Sequence, residues 1–283
     1  MNKINLQLYS FGMDSGLTPL QKIQTAADIG FTGVEFAGDY RGIPVGDVKK
    51  ALTDAGLTAE SAHVGLDQME EEIPYLAELG TKLVICAMAQ FNTAEEAKVI
   101  AERLNTYGKM AEKYGIKTGY HNHTDEFYVD NGKYLMDWLI EYSDPAYTMF
   151  EIDCGWASAA GIDNVEYINA HKGRIGAIHI KENSKVIGAE KPLGINDPSP
   201  WEKFKRDENG NIVIPEEFKR LMEERDKLNV ATGSGIVDWK AVKAAADAQC
   251  DNVVYVVERE ANYGGMDRIS CIKEDIAWLK ANL

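Results

Sequence analysis

Four glycines punctuate the first half of this chain, Gly30, Gly56, Gly80 and Gly115, each closing a helical stretch just ahead of a short apolar run. Glycine suits that place because no Cβ opposes the left-handed turn that ends a helix. The spacing predicts one unit, helix–Gly–strand–loop, used again and again. Apolar runs place strands at residues 4–10, 33–37, 58–64, 82–89, from 116 onward, and at 147–154, 175–182 and 252–260. Helices are expected between them, with Thr18 before Pro19 and the Thr93/Glu96 pair reading as helix starts. Strands that alternate with helices pair in parallel, because parallel neighbours need helical crossovers. Eight such units in 283 residues predict a (β/α)8 TIM barrel, an α/β fold in one domain over 1–283. A doubly wound open sheet is the alternative. Against it, G-M-D-S-G at 12–16 lacks the spacing of a nucleotide-binding glycine loop. Residues 183–213, with Pro192, Pro198, Pro200 and a D-E-N-G-N run, read as an extended insertion loop after strand 7.

Charge narrows the partners. With 45 acidic against 30 basic residues the net charge is −15, which argues against nucleic acid or an anionic membrane surface. A small anionic substrate held by a local Lys stays compatible. No run of about 18 apolar residues occurs, so no membrane span is expected. The first ten residues lack the apolar segment of a signal peptide. Cys86, Cys154, Cys250 and Cys271 lie far apart without C-x-x-C spacing. Free thiols in a cytoplasmic setting are the expectation.

The polar residues collect where chemistry is expected. In a barrel of this kind the active site lies at the C-terminal ends of the strands. Those ends carry Glu35, His63, His121, His123, Glu126, Asp153, His179, Lys181, Glu258 and Glu260, so that only His171 of the five histidines falls elsewhere, where it looks solvated. Carboxylates and imidazoles drawn from separate strands suit one divalent ion, Mn²⁺, Mg²⁺, Co²⁺ or Zn²⁺. Each residue also has a plainer reading. Asp153 suits a cap of the turn before the next helix, His179 a barrel layer, and Glu35 and His63 bonds to a neighbouring loop. Glu258 follows V-V-Y-V-V, where a carboxylate needs a partner or a cation. Glu151 and Glu260 read as supporting groups or as facing a helix. Trp156 reads as an apolar wall against a ring-shaped substrate or as core.

The motifs G-V-E-F, A-H-V-G, G-Y-H-N-H-T-D-E-F, E-I-D-C-G-W, I-H-I-K-E and V-V-E-R-E, in this order, resemble the xylose-isomerase-like TIM barrels. The nearest branch is the sugar phosphate isomerases/epimerases with a Y-H-N-H-x-x-E-F signature. In ketose 3-epimerases of that superfamily, Glu, Asp, His and Glu from strands 5 to 8 hold the metal. The resemblance implies Asp153, His179 and Glu258 as three of the ligands. The strand-5 position falls on Tyr120, a poor ligand. Glu126 is therefore assigned as the fourth, with His121 and His123 as the other candidates. Trp156 stands where those enzymes carry a substrate-binding His, and Lys185 where they carry an Arg.

The chemistry implied is proton abstraction next to a sugar carbonyl through an enediolate, giving an isomerase or epimerase of a sugar or sugar phosphate. Glu258 is the expected base, with Glu126 or His121 returning the proton. Glu35, His63, His123, Trp156, Lys181 and Lys185 are expected to contact substrate. Loss of a β-substituent from the same enediolate makes a lyase or dehydratase of a keto-inositol or 3-keto-glycoside the alternative. A non-catalytic sugar-binding barrel is a minor one. The endonuclease-IV-like repair enzymes share the fold, but their histidine-rich three-metal site and DNA substrate suit neither five histidines nor this charge. The insertion at 183–213 reads as a reshaped pocket, a homo-oligomer contact or the seat of a partner subunit.

Overall fold

The computed structural model describes residues 3–207, 212–250 and 252–283. Eight parallel strands form the sheet: β1 (Asn5–Gln7), β2 (Gly33–Phe36), β3 (Thr58–Val64), β4 (Leu83–Cys86), β5 (Lys117–Tyr120), β6 (Phe150–Asp153), β7 (Ile175–Ile180) and β8 (Val254–Val257). Their order is β5-β4-β3-β2-β1-β8-β7-β6. The two ends of that series meet through parallel bridges at Thr118–Thr148 and His121–Glu151, which brings the sheet round into a nearly closed barrel. The predicted (β/α)8 architecture is the one observed.

Helices α1 (Pro19–Ile29), α2 (Val45–Ala55), α3 (Met69–Leu79), α4 (Ala94–Ala111), α5 (Leu135–Tyr142), α6 (Cys154–Ala160), α7 (Asn164–Ala170), α8 (Glu216–Asp226), α9 (Trp239–Gln249) and α10 (Arg268–Asn282) surround it. Local chemistry sets their ends. Thr18 and Gln21 cap α1 reciprocally with Pro19 in the first turn, and Gly30 stops it at φ 105°. Thr93 caps α4 by accepting from Glu96 N, yet the Glu96 carboxylate accepts from Asn92 N rather than closing the box on Thr93. Buried apolar side chains of strands and helices form one continuous core. Leu83, Ile85 and Ala177 pack separately with Met149 and Val254, inside the barrel beneath the site.

Three departures from the expected boundaries matter for the site. Residues 8–11 form a 3-10 turn instead of extending β1, because the Gln7 side chain accepts from Tyr9 N and Gly12 turns the chain at φ 77°. β8 ends at Val257, so Glu258 and Glu260 sit in the loop beyond it. Directly after Asp153 the chain enters α6, an element the sequence does not announce, since C-G-W-A-S-A-A is a short run of small residues. Within 183–213 the described residues hold one helical turn, Pro200–Lys203, and residues 208–211 lie outside those described. An antiparallel pair, Glu182–Asn183 with Asn229–Val230, brings the chain back toward the barrel after that stretch. All four cysteines are free, and among the described residues no helix is long and apolar enough to cross a membrane.

Candidate metal centre and active site

Period-2 alternation sends Glu151 and Asp153 of β6 into the barrel, and register pairs Asp153 with His179 on β7. Asp153 divides its carboxylate. Oδ1 accepts from Trp156 N at 2.7 Å, capping α6, while Oδ2 is buried without a hydrogen-bond partner. Both readings of Asp153, cap and ligand, thus find an oxygen. His179 Nδ1, also without a partner, lies 3.5 Å from Asp153 Oδ2 and 3.6 Å from Glu258 Oε2. Two donors bound to one ion at ~2.0–2.2 Å lie roughly 3.0–3.5 Å apart when cis or tetrahedral, so the spacing fits one small divalent cation. Charge balance agrees. Glu35, Glu151, Asp153 and Glu258 are all buried at this end of the barrel. The one lysine buried here among the described residues, Lys181, is shared by Glu258 at 3.1 Å and by Glu260. Buried carboxylates in that excess call for a cation.

Beneath this group lies a layer that orients the imidazoles. His179 Nε2 points to Glu35 Oε1 at 3.1 Å, which also accepts from Gln7 Nε2 at 2.8 Å. Glu35 Oε1 accepts from Gln7 and from His179 alike, so Nε2 carries a proton and Nδ1 is the nitrogen turned toward Asp153 and Glu258. His121 is arranged likewise. Its Nδ1 is 2.8 Å from Glu151 Oε2, and its Nε2 is 3.9 Å from Asp153 Oδ2. His63 Nε2 meets the same Glu151 oxygen at 2.7 Å and Glu35 Oε1 at 3.1 Å. His63, His121, Glu151 and His179 also gather their ligand-type atoms within 4.8 Å, as do Asp153, His179 and Glu258.

Electrostatics follow burial and neighbours. For Glu258, burial favours the neutral form but is outweighed by Lys181 and His179, which bring it down to about 2. Burial likewise opposes the charged form of His179, yet Glu151, Asp153 and Glu35 raise it well above its ordinary value. Burial, then His179 and His63, hold His121 well below its own. His123 is lowered to about 3 by burial and by Arg225 and Lys181. Burial pushes Glu126 up to about 7 against the hydrogen bonds it receives.

The residues singled out from sequence are therefore not all equivalent in space. Glu35, His63, His121, Asp153, His179, Lys181 and Glu258 converge. Glu126 stands apart from that group, and its carboxylate accepts from Tyr120 O–H at 2.8 Å and from His123 N at 2.7 Å. His123 lies between Glu126 and a cavity of about 350 Å³ that Gln7, His63, His121, Glu258 and Glu260 also line. Trp156 is 4% exposed, with the Lys181 ammonium and the Arg225 guanidinium each 4.6 Å from its ring centroid. Lys185 faces a different cavity, beside Arg225 and Glu190. His171 is partly buried, its Nε2 3.1 Å from Asp137 Oδ1. Gln7 and Arg225 were not legible as site residues. Gln7 ends the first strand, and its amide is not a metal- or proton-handling group that would mark it, while Arg225 comes to Trp156 from α8, far along the chain.

A nearly closed ring of eight parallel strands with helices between them, and with buried carboxylates and imidazoles at its C-terminal end, defines the class as a TIM barrel. The profile of the xylose isomerase-like TIM barrel family matches residues 23–282, and the chain belongs to that family. An inosose dehydratase of Geobacillus thermodenitrificans (strain NG80-2) is 24% identical to it, over 92% of this chain and 90% of that protein. A sugar phosphate isomerase/epimerase from Parabacteroides distasonis ATCC 8503 superposes with a TM-score of 0.74 at 22% identity, covering 98% of this chain and 97% of that one. The zinc-bound IOLI protein superposes at 0.68 with 13% identity, over 98% of this chain and 97% of that one.

Proposed function

We propose that this chain is a divalent-metal-dependent lyase that eliminates a β-substituent from a ring-shaped keto-polyol, of the keto-inositol or 3-keto-glycoside kind. The observation that carries the metal is the pair of orphaned, buried atoms, Asp153 Oδ2 and His179 Nδ1, facing each other and Glu258. Elimination is favoured over isomerisation by the inosose dehydratase, which aligns along nearly its whole length. Asp153, His179 and Glu258 would hold the ion, with His121 Nε2 as the strand-5 ligand in place of Glu126. Glu151 and Glu35 would fix the two imidazoles from behind. When bound, the ion polarises the substrate carbonyl and adjacent hydroxyl and stabilises the negative charge that develops.

The chain's own groups do the rest. Glu258, ionised at neutral pH and lining the cavity, takes the proton α to the carbonyl. The α C–H bond breaks, its electrons form the enediolate, and collapse expels the β-substituent to leave a C=C bond. The departing oxygen needs a proton. Glu126, raised to about 7, supplies it through His123, provided that His123 Nδ1, 4.0 Å from Glu126 Oε1, closes to hydrogen-bond distance when substrate binds. Lys181 keeps Glu258 ionised. Arg41, the one Lys or Arg among the described residues that line the cavity, is tied to Glu72, which disfavours a phosphate requirement.

The test is proton NMR in D₂O on metal-loaded protein with a keto-inositol, a 3-keto-glycoside and free ketoses in separate arms. The expected result is loss of the α-proton signal with release of water or alcohol, abolished by EDTA and restored by Mn²⁺ or Co²⁺. Turnover of a free ketose to its epimer with no elimination in the other arms would replace this reading by the epimerase one. The same base and acid would serve that reaction, with the proton returned to the opposite face.

A further inference from the structure

The cavity over the metal centre does not end at its own rim. Gly65, Gln68 and Met88 line it, and the same three residues line a second cavity of about 420 Å³ that runs outward over the loops after β3 and β4. Met88, Ala89 and Ile195, which arrives from the long segment after β7, line the outer cavity. Arg103, from α4, lines it too, paired with Asp67. Met88 is 67% exposed and Ile195 37%, so an apolar strip lies open to water beside a polar catalytic pocket. An exposed apolar strip continuous with a polar site is where a ligand's less polar portion is seated. Methionine, unbranched and polarisable, adapts to flat rings of different outline. The amides of Gln68 and Gln90 flank the strip and offer hydrogen bonds to ring substituents.

We propose that the outer cavity is a second subsite, so that the substrate is a two-ring molecule: a keto-sugar ring over the metal, joined through a glycosidic oxygen to a second ring that lies on Met88 against Ile195. The proposal rests on the lyase reading for the inner ring and selects the glycoside among its substrates. The subsite spans loops after β3 and β4, α4 and the segment after β7, which explains why no single motif announces it.

Binding of unreactive glycosides tests it without turnover. Methyl β-D-glucoside fills only the inner position, whereas 4-nitrophenyl β-D-glucoside and cellobiose carry an aryl and a glycosyl second ring. Metal-loaded protein should bind at least one two-ring probe ten-fold or more tightly than the methyl glycoside, and the tighter of the two identifies the second ring's chemistry. In Ile195→Asp, at a half-exposed position that touches only the outer cavity, that advantage should vanish while the methyl glycoside's Kd stays the same. Circular dichroism and Tm of the variant check that it is folded. An advantage that survives in the variant, equal binding of all three probes, or no binding of any of them would overturn the proposal. Exchange of the α-proton of a free keto-inositol, measured in parallel, reads the lyase assignment separately: its persistence alongside a negative binding result would remove the second subsite alone.

Discussion

A hydrogen-bonded imidazole has one nitrogen to offer, and in this site the carboxylates behind His121 and His179 decide which. The consequence is measurable as metal affinity. His121→Ala should weaken Mn²⁺ or Co²⁺ binding by 100-fold or more in a competition assay with a chelating dye. Glu151→Gln, which leaves the ligand in place but loosens its orientation, should cost about 10–100-fold. Glu126→Gln should stay within a few-fold of the parent, and the reverse ranking would return Glu126 to the ligand set. Glu126 carries a second prediction. In the proposed elimination its acid form protonates the departing oxygen, and burial raises its pKa to about 7. The rate should therefore be highest below that value and fall as pH rises through it. In Glu126→Gln the limb should disappear along with most of kcat, and a profile identical to the parent's would remove it as the acid. These residues were visible in the sequence because chemistry-bearing side chains after apolar runs stand out. Which atom of each faces which neighbour was not visible, since Glu126 is seated by the 3-10 turn Asp125–Phe127 and Glu151 by pairing with β5.

Elements were legible to the extent that their ends are made locally. Gly30 and the Thr18–Gln21 cap define α1 from four or five residues, and pattern alone finds them. Helix α6 escaped because its only strong start signal is Asp153, a residue that also suits the metal centre. Its close seating depends on Gly155, where a Cβ would lie 2.3 Å from the Lys181 carbonyl oxygen. Gly155→Ala must push α6 away from the end of β7, at a cost of about 1–3 kcal/mol of overpacking. The expected outcome is a Tm lowered by several degrees. Activity should be reduced as well, because Lys181 and the Asp153 cap move together. An unchanged Tm would mean that the loop after β7 yields without strain. The segment between β7 and β8 resisted reading for the opposite reason. Its contacts, such as Arg225 over Trp156, are made at long range and leave no local pattern.

At the scale of the molecule, the repeating unit fixes an eight-stranded ring, and the ring has a seam. Six of its eight strands pair by ladders on both sides, whereas β5 and β6 are joined, among the described residues, by the Thr118 and His121 bridges and by the Asn122 amide, which accepts from Asp153 N and donates to Asp153 O. His121 and Glu151, one such bridge, are also bonded through their side chains across the same gap. An ion held by His121 on one side and Asp153 on the other would therefore act as a hoop around a cask, drawing the loosest joint shut. Amide exchange should reveal it. On chelation, backbone protons near residues 118–121 and 149–151 should lose protection earlier than those of β1 and β2, and metal should restore them. Equal loss throughout the ring would mean that the joint holds without its hoop. If the seam does loosen, the apo protein would be a barrel with a preferred place to open, and loading the metal would be the last step of its folding.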